Sequence, residues 1–302
     1  MEKGKSSMTS LISSFARAYH SENDNPKIFD DFLAKKLISS QEYNQIAGYM
    51  TQGIQSFADE NYIDYSSEEE NLKWVVQTQL SPTPLARAKY CEDMLENEMR
   101  IGCRQYILLG AGMDTFVFRK KDLLEKINIF ELDHPATQAF KLERIKKAEL
   151  EIPETLHYIP VDFKVEDFSK KLLSSKYDKT EKTFFSWLGV SYYLSKENIS
   201  KLFKTISEMA PKGSAIVFDY ADENLFDSKV KRVQNMVGMA KAAGEPMKSC
   251  FSYTELEKIL EDSGFLIYEH LSHEEIENRF FKNRNDYLHA FEHINYVLAV
   301  LK

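Results

Sequence analysis

Between residues 106 and 220, five short apolar runs, YILLG, INIFELD, HYIPVD, TFFSWLG and SAIVFDY, alternate with stretches of helical spacing. Strands separated by helices are joined by crossovers rather than tight hairpins, so this rhythm predicts βαβ units feeding a parallel sheet. The helix boundaries agree. Asp133 or His134 caps a helix whose first turn contains Pro135, because proline lacks only an N–H that would have no partner there. Ser195 precedes the periodic segment KENISKLFKTISEMA, which Pro211 and Gly213 close. Ser252 and Glu255 form a capping-box pattern ahead of TELEKILEDS, and Gly264 supplies a left-handed stop. FLIYEHL and NYVLAVLK then read as two last strands.

Residues 1–100 follow a different pattern. DDFLAKKLI, NLKWVVQTQL and PLARAKYCEDMLENEMR are helical in spacing, YSSEEEN is a polar acidic loop, and no strand-turn alternation occurs. A second helical stretch, Asn224–Ala243 with Leu225, Val230, Val233 and Val237 on its apolar face, interrupts the α/β rhythm as an insertion able to cover a pocket. The economical organisation is one α/β domain over 1–302, with a helical cap over 1–100 and a core over 101–302 that carries a helical insertion at 224–250. With 43% apolar residues the chain can build a substantial core. A net charge of -8 argues against nucleic acid as partner, since phosphate-backbone binding needs concentrated Lys and Arg. A small-molecule or protein substrate fits better. No stretch approaches a membrane span and the first residues contain no apolar signal region, so the expected location is the cytoplasm. Cys91, Cys103 and Cys250 have no paired spacing and read as buried or incidental thiols. His289 and His293 stand four apart, but Ala290 occupies the place of the zinc-protease glutamate, so no metal is expected.

The site-forming segment is YILLGAGMDT, in which an apolar strand runs into Gly110-Ala111-Gly112. In an open α/β sheet, ligands bind beyond the carboxyl ends of the strands, and glycines there let the backbone approach the ligand. The GxxxxGK[ST] phosphate loop is absent, and Thr115 stands where a dinucleotide fingerprint has its third small residue. A tight strand-to-helix turn explains the glycine pair equally well. The next strand end adds Asp133, about 20 residues on, where a Rossmann-like fold holds a carboxylate to a ribose; Glu131, two residues earlier, is its rival. The strand end after that carries Asp162 and Phe163, suited to an adenine amino group and ring edge. Any one such acid reads as a helix cap. Three successive strand ends in register point to a nucleoside.

The runs LLGAGMDTFVFR, FELDHP, VDF and FSWLGVSYYL, with ARAYHSENDNPKIFDDFLAKKL and the arginine of PLARAKYCEDML upstream, resemble the leucine carboxyl methyltransferase superfamily, including its bacterial polyketide-type O-methyltransferase branch. The resemblance implies a Rossmann-like class I methyltransferase fold: a seven-stranded, mostly parallel sheet with an antiparallel last strand. It also implies S-adenosyl-L-methionine as cofactor. Gly110, Ala111 and Gly112 would pass the methionine part, Asp133 would hold the ribose, Asp162 and Phe163 the adenine, and Arg87 the cofactor carboxylate. Arg17 and Tyr19 would close a lid over the site, with Tyr19, Tyr192 and Tyr193 toward the substrate. Many relatives have a glutamate in the fourth-strand motif where this chain reads Trp187-Leu188-Gly189-Val190, so Leu188 replaces a polar contact. The cofactor amino group must then find backbone carbonyls of Gly110 or Trp187. Tyr193 and His134 are the candidate bases, neither singled out by the sequence. The resulting expectation is methyl transfer to the carboxylate or hydroxyl of a polyketide-like small molecule. The competing readings are a protein C-terminal carboxylate as acceptor, an NAD-dependent oxidoreductase, and a non-catalytic S-adenosylmethionine-binding protein.

Overall fold

The computed structural model describes residues 8–58, 67–163 and 165–302. Its centre is one sheet of seven strands, β1 (Gln105–Leu109), β2 (Asn128–Asp133), β3 (Leu156–Pro160), β4 (Thr183–Trp187), β5 (Ala215–Ala221), β6 (Phe265–Leu271) and β7 (Ile294–Leu301). They lie in the order β3-β2-β1-β4-β5-β7-β6. The pairings from β3 through β5 are parallel, and β7 runs antiparallel to both β5 and β6. β1, β4 and β5 are buried along their whole length, which is why they read as continuous apolar runs rather than alternating ones. The chain steps outward from β1 to β3 and returns to β4 on the other side of β1. The carboxyl ends of β1 and β4 therefore flank the topological switch point.

The helices that shape the site are α1 (Met8–Asn23), α2 (Ser40–Gln52), α3 (Glu68–Val75), α4 (Pro82–Arg100), α5 (Pro135–Lys147), α6 (Lys196–Met209), α7 (Lys231–Ala242) and α8 (Tyr253–Asp262). The cap of α5 is His134, whose Nδ1 accepts the Ala136 N–H at 3.2 Å. Ser195 and Ser252 cap α6 and α8 as their positions predict. Only half of the Ser252–Glu255 box forms, because the Glu255 carboxylate turns to Lys196 at 2.6 Å. DDFLAKKLI is not a helix but a single turn, Ala34–Leu37, since Asp31 is drawn inward and leaves Phe32 exposed. In YSSEEEN the first two residues lie outside the described ones, and the rest is no loop: Ser67 caps α3, and Glu68, Glu69 and Glu70 occupy its first turn, where the helix dipole favours negative charge. The insertion becomes helical only at Lys231; Leu225 is buried from a separate turn, Leu225–Asp227. Residues 1–7 also lie outside the described ones. Among the described residues no helix is long and apolar enough to cross a membrane.

Two apolar layers sandwich the sheet. One packs Leu85, Ala86 and Tyr90 of α4 against β1, β4 and β5; the other packs Ile199, Phe203 and Ile206 of α6 with Leu256 and Leu260 of α8. A third cluster, including Phe15, Tyr19, Ile46 and Trp74, joins α1, α2 and α3 into a cap. The cap is fastened to the sheet by Asp31. Its carboxylate accepts from Arg17 Nε at 2.8 Å and Thr115 Oγ1 at 2.6 Å, and pairs with Arg119 at 3.3 Å. Burial alone would raise its pKa, but the two guanidinium groups outweigh that and hold it below the usual carboxylate value.

Glu131, on β2, pairs with Lys141 of α5 at 2.5 Å, and both side chains are almost completely buried. Removing one partner would strand the other charge in an apolar layer. Lys141→Met should therefore lower unfolding free energy by about 3–5 kcal/mol, read from the midpoint of a urea titration. A change below roughly 1 kcal/mol would show that the pair carries no such penalty.

Candidate cofactor and acceptor site

A cavity of about 570 Å³ opens over the carboxyl ends of the strands. Its floor includes Gly110, Gly112, Asp133, Asp162, Phe163 and Leu188, and its roof combines residues of α1 with Met236 and Met239 of α7. Such a volume is typical of sites that enclose small ligands. At the turn after β1, Gly110 and Gly112 adopt φ of 77° and 52°, left-handed values that L side chains resist. The amides of Gly110, Ala111 and Gly112 are all committed. Gly110 and Ala111 donate to the Leu132 carbonyl at 2.8 and 3.2 Å, and Gly112 donates to Asp133 Oδ2 at 2.5 Å. A pyrophosphate needs such amides free, so the nicotinamide dinucleotide reading loses its binding element.

Asp133 is held from two sides, since its other oxygen accepts the His134 N–H at 2.6 Å. Burial raises its pKa and these two amides pull it back only partly, leaving it above the usual carboxylate value. Its rival Glu131 does not line the cavity and is committed to Lys141. His134, besides capping α5 through Nδ1, places Nε2 3.8 Å from Asp162. With Nδ1 accepting, the ring proton belongs on Nε2, so this imidazole has no lone pair left to take a substrate proton.

Arg87, one turn into α4, lines the cavity and is oriented by a residue that sequence reasoning missed. Asp219, fully buried near the carboxyl end of β5, accepts from Arg87 Nη1 at 2.9 Å, from the Gly189 amide at 2.6 Å and from the Tyr192 hydroxyl at 3.2 Å. Burial opposes the Arg87 charge, but Asp219 outweighs it and holds the pKa above the ordinary arginine value. Arg87 Nη2 makes no hydrogen bond to any described residue. The guanidinium lies against Gly189, where an added Cβ would stand 2.5 Å from Nη2. An acid within the apolar strand SAIVFDY was the signal available in the sequence.

The remaining expectations divide. Tyr192 and Tyr193 both line the cavity, with rings 5.0 Å apart, but the Tyr192 hydroxyl is engaged by Arg87 and Asp219. Burial pushes the Tyr193 phenol up to about 12, so it is a poor base near neutral pH. Arg17 lines the cavity and donates through Nη2 to the Met113 carbonyl at 2.8 Å, tying α1 to the glycine turn. Three expected residues are not among those lining the cavity, Trp187 having been expected only through its backbone carbonyl. Tyr19 packs inside the cap, Ala111 packs against the core, and the Trp187 side chain points into the α6 layer, edge-on to Phe203 at 5.9 Å. In each case the apolar side chain is better satisfied by packing than by facing the cavity. His289 and His293 do not share a helix: His293 bonds Asp222 and Ser228, and His289 faces Glu277. The three cysteines are free, Cys91 and Cys103 being buried.

Comparison with known proteins agrees with this geometry. Residues 10–207 match the family model described as leucine carboxyl methyltransferase. A Bacillus subtilis (strain 168) protein provisionally named S-adenosyl-L-methionine-dependent methyltransferase YktD is 53% identical over 305 residues, covering 100% of both chains. A Mycobacterium marinum protein with the same provisional description is 26% identical over 239 residues, covering 78% of this chain and 72% of its own. Among solved structures, a provisionally named methyltransferase from Thermobifida fusca YX superposes with a TM-score of 0.59 at 11% identity, over 100% of this chain and 97% of its own, a likeness of fold. The chain belongs to the leucine carboxyl methyltransferase family, a family of S-adenosyl-L-methionine-dependent methyltransferases.

Proposed function

We propose that the protein is a cytoplasmic O-methyltransferase that places the methyl group of S-adenosyl-L-methionine on a carboxylate oxygen of a small acceptor with an apolar body. The residues fit the cofactor. Arg87 offers the unengaged Nη2 edge to a carboxylate, and Asp133, fixed by two amides, keeps lone pairs for ribose hydroxyls. Asp162 and Phe163 line the cavity at the adjoining strand end, in keeping with an adenine there. When bound, the cofactor supplies a methyl group made electrophilic by its sulfonium. The chain's task is to orient the acceptor and exclude water, which the roof of α1 and α7 residues serves.

The acceptor class rests on one observation: neither candidate base is available. His134 accepts the Ala136 amide on Nδ1, which leaves its proton on Nε2 facing Asp162, and Tyr193 keeps its proton. A carboxylic acid is already ionised at neutral pH and needs no base, whereas an alcohol or phenol benefits from one. Leu80, Pro84, Met236, Met239, Phe291 and Ile294 line the cavity with apolar surface, which suits a hydrophobic acceptor body.

Gly189→Ala would force the pinned guanidinium aside and place an alanine at φ 72°. We expect S-adenosylhomocysteine to bind roughly tenfold more weakly, with a stability loss of about 1–2 kcal/mol; unchanged calorimetric affinity would remove Arg87 from the cofactor site. Because burial raises the Asp133 pKa, its ionised form subtracts stability from the unliganded fold at neutral pH, a cost absent below the ordinary carboxylate value. Protonation also costs the site an acceptor, so affinity for S-adenosylhomocysteine should fall with decreasing pH, beginning above that ordinary value. Asp133→Asn should bind weakly at every pH tested, and a wild-type profile retained in this variant would exclude the ribose role. Methyl-labelled cofactor incubated with apolar carboxylic acids, phenols and a C-terminal peptide should give a product that releases methanol in mild alkali. An alkali-stable ether would assign a hydroxyl acceptor, and labelling of the peptide alone would assign a protein terminus.

A further inference from the structure

Thr137 lies in the first turn of α5, is 1% exposed and contributes to the cavity lining beside Asp133 and His134. Its Oγ1 is buried and makes no hydrogen bond to any described residue. A helical threonine ordinarily settles its hydroxyl on the carbonyl four residues back. Here that carbonyl, on Asp133, accepts the Val161 amide at 2.8 Å, and the carbonyl three back, on His134, accepts the Gln138 amide at 3.0 Å; each keeps a second lone pair, yet the Thr137 hydroxyl bonds neither. Lys141, one turn further along the helix, is taken by Glu131 of β2. A hydroxyl shut from water without a partner is a standing cost to the fold. The cavity wall is where a ligand can relieve it.

We infer that Thr137 is a further cofactor-binding residue, its hydroxyl hydrogen-bonding the nucleoside part of S-adenosyl-L-methionine next to Asp133. The inference rests on the methyltransferase reading of this cavity and extends it to a residue that sequence reasoning did not select. Two side chains four residues apart, Asp133 at the end of β2 accepting and Thr137 in the first turn of α5 able to donate or accept, then address the same end of the ligand. Thr137 acts through binding; it holds no reacting atom.

The test uses the full chain, with calorimetric titration by S-adenosylhomocysteine and the melting temperature of the unliganded protein as separate readouts. Thr137→Val keeps the shape and deletes the hydroxyl; Thr137→Ser keeps the hydroxyl and deletes a methyl. Thr137→Val should bind roughly three- to tenfold more weakly, the factor one ordinary hydrogen bond carries. Its unliganded melting temperature should equal or exceed the wild-type value, because the unsatisfied group has gone. Thr137→Ser should retain near wild-type affinity. A merely structural role would instead lower the melting temperature of Thr137→Val without selectively weakening binding. Wild-type affinity in Thr137→Val, or equal losses in the two variants, would overturn the inference while leaving the methyltransferase reading intact. Failure of the wild-type chain to bind S-adenosylhomocysteine would overturn that reading and this inference together.

Discussion

The buried Asp31 carboxylate is the contact on which the enclosed site depends. It receives Arg17 from the cap, Thr115 from the segment after the glycine turn, and Arg119 beyond it. Without compensation such a group would be costly to bury; with two guanidinium partners it becomes a fixed joint. The same Arg17 reaches the Met113 carbonyl, so the joint sets α1 directly over the strand ends. That placement turns an open crevice at the switch point into a roofed cavity, to which α7 adds methionine side chains.

A second buried carboxylate organises the opposite wall. Asp219 gathers the Gly189 amide, Arg87 and Tyr192, which come from the end of β4, from α4 and from the turn after β4. The arrangement leaves one edge of the arginine without a hydrogen bond to any described residue, and this is the edge that the proposed function assigns to a carboxylate. Asp133 follows the same logic with opposite polarity: two amides fix an acceptor rather than an acid fixing a donor. The glycine turn itself donates nothing to the cavity, because its amides are spent on Leu132 and Asp133. Its contribution is close approach of the backbone, a different use from the phosphate cradles that share its sequence pattern.

The parts legible in the sequence are those governed by local periodicity and by fixed spacing along the chain. Buried strands, serine caps and Gly264 follow from side-chain pattern and turn chemistry, and Gly112 and Asp133 meet because adjacent parallel strands bring their ends together. The side chains whose direction the sequence left open are those set by competition among environments. Trp187 follows a motif but turns its large ring into the α6 layer, and Tyr19 does the same within the cap. DDFLAKKLI has helical spacing, yet the pull of Arg17, Arg119 and Thr115 on Asp31 defeats the helix. Asp219 went unread because an acid in an apolar strand has meaning only when its donors are known.

By itself the amino-acid order determined the alternation of strands and helices, hence a mostly parallel sheet, and placed glycines and acids at the ends of successive strands. These are consequences of interactions along the chain and between neighbouring strands. Tertiary structure alone decided which of Glu131 and Asp133 faces the ligand space, which acid orients Arg87, and which helices form the roof. It also decided that the Thr137 hydroxyl would be left without a partner among the described residues. Each of these depends on contacts between segments far apart in sequence, where burial makes the cost of an unpaired charge or hydroxyl large enough to choose among side-chain orientations.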